Sequence, residues 1–447
     1  MIVSKNHTSG IAQGASPAKT KRLPLKFITF NEDGKATLLN GTQIVNLLGM
    51  YFVKMPLQDA FFKILDDGGI DFKNPISESM MVVALQDLGV KNMAVAKNYL
   101  KCETIKEISP LSIVYNYIRK TEWDGRDRIS EAIDAMNLKG KKFANNQLIR
   151  KWYLNTYSLA FNHIDPKIDW TPEARCVLIL YSDARGWGKS AILNFLGLEG
   201  ILKKIVPSIE TEVCTVLRGE IPKDDWTINN LLTTNMIINV DDLQNLLCST
   251  SNDVRARLRA LCTATTSSQR KMRSEKIRTK ARRANICGST NNKYAIRDND
   301  ENRYMMFELD KKVNDLREYG DDFIEQFWAQ VRSETIEERG NCNWDSTDYD
   351  LIVEMNKPYL FKSPLEMEIE DRFIFSEYAE ELTFNEIKAI IGNDFAPSDL
   401  ELRTALLRLV PSGKDLYGRR TGRKRYINIK ANDGDDNVIS AGDGLPF

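Results

Sequence analysis

ARCVLILYSDARGWGKSAILNFLG, residues 174–197, reads in three pieces. Cys176 to Tyr181 is an apolar, strand-like run. Ser182 to Gly188 is small, polar and glycine-bearing. Lys189 to Leu196 takes up helical spacing, with Ile192, Leu193 and Leu196 on one side. A strand, a glycine-bearing turn and a helix opening with Gly-Lys-Ser form the layout of a phosphate-binding loop, or P-loop. Backbone N–H groups at such a helix start cradle phosphate oxygens, the lysine reaches the β- and γ-phosphates, and the hydroxyl binds Mg²⁺. Gly186, Gly188, Lys189 and Ser190 fit the pattern G-x-x-x-x-G-K-[ST], and Asp183 stands where its first glycine belongs. Aspartate tolerates a left-handed backbone, so the turn is expected to survive with Asp183 in that conformation. Its carboxylate beside a triphosphate works against affinity.

Outward from this loop, strands alternate with helices as a parallel sheet requires. Lys204–Val206, Asn235–Val240, Asn285–Ser289 and Tyr304–Leu309 are the further strand candidates. They complete an α/β fold: a P-loop, AAA+-like ATPase core with a five-stranded parallel sheet, spanning 171–315. A helical collar precedes it at 111–170, carrying Trp123-Asp124-Gly125-Arg126 and two amphipathic helices. Before the collar, 23–110 reads as a mixed α/β N-terminal domain, with a hairpin over Phe27–Leu39 and helical patterns at Leu57–Leu65, Ser77–Leu88 and Asn92–Leu100. After the core, 316–370 is a helical connector with Phe323, Phe327 and Trp328 at core spacing. Residues 371–430 have two helices, Phe384–Ile391 and Ser398–Leu409, and a basic hairpin, Leu416–Ile429, which together suggest a C-terminal winged-helix-like domain. The ends, 1–22 and the acidic, Gly-rich 431–447, read as disordered tails.

Composition narrows the class. The 447 residues carry 62 Lys plus Arg against 62 Asp plus Glu, so any nucleic-acid contact must come from local patches. Seven Cys without a C-x-x-C pair and two His, His7 and His163, argue against a zinc site or disulfide framework and suit a reducing cytoplasm. No apolar run approaches membrane-spanning length, and the N-terminus lacks a signal-peptide core. A cytoplasmic protein is the expectation.

Met236-Ile237-Ile238-Asn239-Val240-Asp241-Asp242 is an apolar strand ending in two carboxylates, about fifty residues after Lys189. Such a pair can merely cap a helix. At a strand tip of a P-loop protein, Asp241 is expected to hold Mg²⁺ and Asp242 to orient the attacking water. Ser289-Thr290-Asn291-Asn292 follows the next strand; Asn291 is the candidate for sensing the γ-phosphate or lytic water, with Asn292 in reserve. Ahead of the last strand, Arg303 is favoured over Arg297 as an arginine finger reaching a neighbour's ATP. That role demands an oligomer.

Between Asp242 and Asn291 lies Gln269 to Arg283, with eight basic residues and one acid. Such runs are usually solvated faces. Inserted inside an ATPase core, this one is read as a hairpin gripping single-stranded DNA phosphates, with contacts from Arg273, Lys276, Arg278 and Lys280. A second basic cluster, including Arg420, Arg423 and Lys424, sits on the expected wing and would track duplex or fork backbone.

These residues together resemble the virulence-associated protein E family, phage- and island-encoded ATPases related to superfamily 3 helicases. The resemblance covers roughly Pro110 to Leu309. It rests on Trp123-Asp124-Gly125-Arg126-Asp127-Arg128, Gly186-Trp187-Gly188-Lys189-Ser190, the basic segment before Asn285, Ser289-Thr290-Asn291-Asn292 and Asn302-Arg303. It implies a structural Trp123 and a subunit interface around Arg303. Asp183 departs from the family's loop glycine, and Asn302-Arg303-Tyr304 has one Arg where relatives often have two adjacent. The C-terminus resembles the acidic tail peptide of bacterial single-stranded-DNA-binding proteins. That likeness implies partner capture through Asp443, Pro446 and Phe447, with host replication proteins as the partners.

The combined expectation is an ATP- and Mg²⁺-dependent DNA helicase or translocase, assembled as a homo-oligomer, expected to be a hexamer, that replicates a phage or mobile element. An origin-melting initiator or helicase loader, and a DNA-binding recruitment protein with a degenerate ATP site, are the alternatives.

Overall fold

The protein is described by a computed structural model. It describes residues 28–30, 36–38, 40–55, 60–66, 69–87, 89–207, 209, 211–249, 251–270, 277–296, 302–339, 341–375, 382–392, 396–409, 415–417, 424–426 and 429–431. The chain forms two compact units, 1–293 with 299–357 and 294–298 with 358–447.

In the first unit the centre is a five-stranded, wholly parallel sheet. Its strands in chain order are Val177–Tyr181, Cys214–Arg218, Ile237–Asp241, Asn285–Thr290 and Tyr304–Glu308. Across the sheet they run fifth, first, fourth, third, second. Every residue of Val177–Tyr181 is buried, which is why the strand reads as a continuous apolar run and not as an alternation. The sequence reading misplaced one strand. Lys204–Val206 is not extended: Ile201–Ile205 is a short helix entered through a left-handed Gly200. The second strand is Cys214–Arg218, which lies at the sheet edge, with half-exposed and exposed side chains following a buried Cys214; an edge strand of mixed polarity leaves no strong pattern.

The outer margin of the fifth strand is closed by side chain and loop. Asn356, at the end of helix Ser346–Asn356, accepts from the Met306 N–H at 3.3 Å and donates to the Tyr304 carbonyl at 2.5 Å. Further along, Lys139 N–H donates to the Glu308 carbonyl, and Leu138 bridges to Leu309. Backbone groups that would template another strand are thereby satisfied.

Helices Pro110–Lys120, Arg128–Ala135, Lys142–Phe161 and Phe323–Glu338 pack as one layer. Tyr153 meets Phe327 edge-on at 5.0 Å and Trp328 at 6.0 Å. Trp152 donates its indole N–H to the Cys176 carbonyl and Trp328 to the Leu196 carbonyl. These two bonds pin the layer to the start of the first strand and to the end of helix Lys189–Leu196. Trp123 to Arg128 forms a turn through Gly125, φ 86°. Trp123 donates to the Arg126 carbonyl, Asp124 takes Arg126 N–H and Arg128, and Asp127 caps the next helix while receiving Arg150 and Gln330. The block is a structural clasp, Trp123 included.

Toward the N-terminus, strands Ile28–Phe30 and Ala36–Leu38 pair antiparallel. The helix expected over Leu57–Leu65 is corrected: Ala60–Lys63 is a strand paired with Phe52–Met55. Phe61 and Phe62 are buried on its two faces, so its apolar residues are adjacent and mimic one turn of a helix.

Strands Thr266–Arg270 and Ile277–Ala281 form an antiparallel hairpin between helix Asn252–Thr263 and the fourth core strand. The second unit packs helices Pro364–Arg372, Phe384–Ile391 and Asp399–Leu409 around Ile369, Phe373, Ile387, Ile391, Leu402 and Leu406. Strand Lys424–Tyr426 pairs with Asp415–Tyr417 and Leu382–Thr383, giving the helices-plus-hairpin form of a winged-helix-like module. Among the described residues, no helix is long and apolar enough to cross a membrane.

Candidate functional site

The site lies at the carboxyl ends of the first, fourth and third strands, which are neighbours in the sheet. In an open parallel sheet this is where the chain leaves strands for loops and where ligands bind. From Tyr181 the backbone turns through Gly186, φ 76°, and Gly188, φ 88°, into the helix Lys189–Leu196. No atom lies within 4 Å of where a Gly186 Cβ would stand, so that glycine is required by its dihedral and not by crowding. The expectation for Asp183 is corrected. Its φ is not positive; the turn is made by the later glycines, and the exposed Asp183 carboxylate is held by the Tyr181 hydroxyl.

Lys189 is only 7% exposed. Its ammonium donates to Ser182 Oγ at 2.9 Å and Asn291 Oδ1 at 2.6 Å. Burial pulls its pKa below the usual lysine value, against the opposing pull of Asp241, Asp242 and Asp183. The next residue, Ser190, donates its hydroxyl to Asp241, and Ser289 donates to the same carboxylate oxygen at 2.6 Å. Burial pushes Asp241 upward, yet the two hydroxyls, the Asp242 N–H and the Lys189 charge outweigh it and hold the carboxyl below its ordinary value. Asp241 is therefore an anion poised beside a hydroxyl, the donor pair that Mg²⁺ uses along with water and phosphate oxygens. Among the described residues no cluster of three His, Cys, Asp or Glu could hold a metal alone. Ser190 and Asp241 are the residues of this site that could hold a cation.

Asp242 is exposed and left-handed, φ 56°. A non-glycine residue in that region costs about 1 kcal/mol or more, and such strain gathers at functional turns. The Leu243 N–H donates to the Ser289 carbonyl at 2.8 Å and fixes the turn. Asn291 meets Lys189, whereas Asn292 donates its backbone N–H to the Thr290 hydroxyl at 3.0 Å and its side-chain amide to the Cys248 sulfur. Arg303 sits at the opposite end of the sheet, where its carbonyl receives the Val177 N–H. One strand length, roughly 16 Å at 3.3 Å per residue, separates it from the turn that carries Gly186 and Gly188. Arg297 lies outside the described residues.

Two side chains at the centre were not singled out from sequence, Ser182 and Ser289. Ser182 merely ends an apolar strand. Ser289 stood in the Ser-Thr-Asn-Asn stretch, where the two asparagines drew the assignment.

In the basic segment, Lys280 is exposed and Arg278 lies on the same strand, opposite Gln269. Arg273 and Lys276 fall outside the described residues. Two cations of that run are structural. Arg282 is 3% exposed and donates to the carbonyls of Leu261, Cys262, Ala264 and Ala284, and burial lowers its pKa to about 10. Arg283 bonds Asn162 Oδ1. Lys424 lies on the wing strand; Arg420, Arg423, Asp443, Pro446 and Phe447 lie outside the described residues.

The sequence pattern of the virulence-associated protein E-like domain matches residues 118–359. Among solved structures, an A-form apo structure of the NrS-1 C-terminal region matches with a TM-score of 0.38 and 10% identity, over 83% of this chain and 86% of that one. A second apo structure of that region gives 0.37 and 11%, over 81% and 83%. No curated protein matches the sequence.

Proposed function

We propose, on the premise that this chain belongs to the virulence-associated protein E-like family, that it is an oligomeric, ATP-hydrolysing DNA helicase or translocase serving replication of a phage or mobile element. The observation that carries the reading is the convergence of Lys189, Ser190, Asp241, Ser289 and Asn291 at one end of a sheet ordered fifth, first, fourth, third, second.

In this reading the loop amides from Gly186 to Ser190 and the Lys189 ammonium bind the phosphates. Ser190 and Asp241 would hold Mg²⁺, which neutralises phosphate charge when bound. Asp242, exposed beside Asp241, orients a water and accepts its proton as oxygen attacks the γ-phosphorus and the bond to the ADP oxygen breaks. Asn291, already within hydrogen-bond reach of Lys189, shifts its amide to the γ-phosphate or the water. Arg303 cannot serve its own loop across a strand's length and acts on a neighbour, which is why the motor is an oligomer, with a hexamer as the proposed ring. The hairpin carrying Arg278 and Lys280, with Arg273 and Lys276, grips the single strand by charge. Arg420, Arg423 and Lys424 track the fork, and the C-terminal Asp443, Pro446 and Phe447 capture host replication proteins.

The deciding measurement is ATPase rate and particle size with and without single-stranded DNA, for the parent and Lys189→Ala. Hydrolysis stimulated by DNA in the parent and lost in the variant supports the motor. DNA-stimulated hydrolysis that survives Lys189→Ala defeats it. A strand-displacement assay separates the motor from an initiator that only assembles on DNA.

A further inference from the structure

Two hydroxyls meet one oxygen of Asp241. Ser190 donates to Oδ1, Ser289 donates to the same atom at 2.6 Å, and the two hydroxyl oxygens lie 3.2 Å apart. Ser190 belongs to the phosphate loop; Ser289 does not. It is 2% exposed and comes from the fourth strand, between the first and the third. The fourth and third strands pair Gly288 with Val240, and the same register carried one residue further sets Ser289 level with Asp241. Gly288 permits this approach, because a Cβ there would stand 2.6 Å from the Val240 carbonyl oxygen and press on Leu243. The Ser289 carbonyl also accepts the Leu243 N–H at 2.8 Å. One residue thus holds the Asp241 side chain by its hydroxyl and the turn after Asp242 by its backbone.

Other buried hydroxyls of this unit are used differently. Thr156, Ser158 and Thr335 each donate to the carbonyl four residues back in their own helices, the local bond such side chains find by default. Ser289 instead reaches across to another strand, and its hydroxyl meets Asp241 and Ser190.

We propose that Ser289 is a positioning residue for the site: its hydroxyl fixes the Asp241 carboxylate and decides which oxygen that group offers. The proposal rests on the phosphate-loop reading and deepens it, by assigning a residue outside both the loop and the carboxylate pair. A carboxylate oxygen has about two lone pairs for hydrogen bonds, and two serine hydroxyls fill those of Oδ1. Oδ2 is the oxygen that neither serine engages. Without Ser289 the carboxylate can swing about its last torsion, which is broad and roughly two-fold, and its oxygens exchange roles. Outer partners of this kind typically change affinity for a metal by about 10–100-fold.

The test is a double-mutant cycle on the full chain, read by calorimetric titration with a non-hydrolysable ATP analogue in Mg²⁺. Ser289→Ala is expected to weaken the analogue by about tenfold, in protein that still melts cooperatively. Ser289→Cys, which keeps the bulk but donates weakly, should show the same loss and serves if the alanine variant fails to fold. In an Asp241→Ala background there is no carboxylate to position, so adding Ser289→Ala should cost less than about twofold. In EDTA, the parent and Ser289→Ala should be indistinguishable. Unchanged affinity in both Ser289 variants, a full further loss on top of Asp241→Ala, or an equal loss in EDTA overturns the proposal. A parent that binds no analogue in Mg²⁺ would instead remove the phosphate-loop reading on which it rests.

Discussion

The Lys189 ammonium lies 2.6 Å from Oδ1 of Asn291. This bond ties the helix of the phosphate loop directly to the end of the fourth strand. An incoming γ-phosphate would compete for the same ammonium, so occupancy of the loop changes what Asn291 is bonded to.

Asn291 and Asn292 should therefore separate cleanly. Asn291→Ala is expected to lower the ATPase rate by about 100-fold while nucleotide binding persists, a loss typical of a positioned group acting in the transition state. Asn292→Ala, which touches Cys248 instead, should cost less than about threefold. Steady-state ATPase with parallel nucleotide binding decides it, and the reverse order would reassign the sensor.

Within one basic run, two cations should behave in opposite ways. Arg282→Ala strips the donor from four carbonyls and should destabilise the fold by about 3 kcal/mol, read as a drop in melting temperature. Lys280→Ala should leave melting unchanged but weaken single-stranded DNA and reduce the slope of log affinity against log salt by about 0.7. Fluorescence anisotropy at several salt concentrations tests the second half.

Arg303 and Lys189 sit at opposite ends of the sheet, so a shared site predicts complementation. Arg303→Ala and Lys189→Ala proteins should each be inactive alone. Mixed in equal amounts and reassembled, they should recover up to roughly a quarter of the parent rate, since half the sites keep Lys189 and half the neighbours keep Arg303. Absence of any recovery would place Arg303 outside the chemistry.

Asp127 offers a test in acid. Burial works to raise its pKa, but Gln330, Ser130 and the Arg150 charge hold it below the ordinary carboxylate value. A carboxyl depressed in the folded state contributes stability above its unfolded value, about 3.9, and loses that contribution as pH falls through the folded value. Asp127→Asn should thus lower stability near neutrality, by less than about 1 kcal/mol because the carboxylate is half exposed and screened by water. The gap in melting temperature from the parent should hold between pH 6 and 8, about two units and more above the unfolded pKa, and close below about pH 4. A gap that widens in acid would contradict the assignment.

How far the chain could be read depended on how local each cause was. The strand, turn and helix from Val177 to Leu196 were legible because burial on both faces and two left-handed glycines leave direct traces in residue type. The Cys214–Arg218 strand left none, because an edge position lets polar and apolar residues mix. Asp183 invited a backbone explanation, yet what matters there is the Tyr181 hydroxyl, a partner two residues away that no turn rule would nominate. Arg282 looked like its basic neighbours in sequence; only its burial among carbonyls distinguishes it. Ser289 was visible but unassigned, since a serine acquires meaning from the Asp241 carboxylate that the sheet brings beside it.

The closed margin of the fifth strand has a consequence for assembly. With Asn356 occupying the Tyr304 and Met306 backbone groups, an adjoining copy cannot attach there by extending the ladder. If copies adjoin along that rim, as the proposed motor requires, the junction must be built from side chains, which can part and rejoin where a zipped backbone seam would lock.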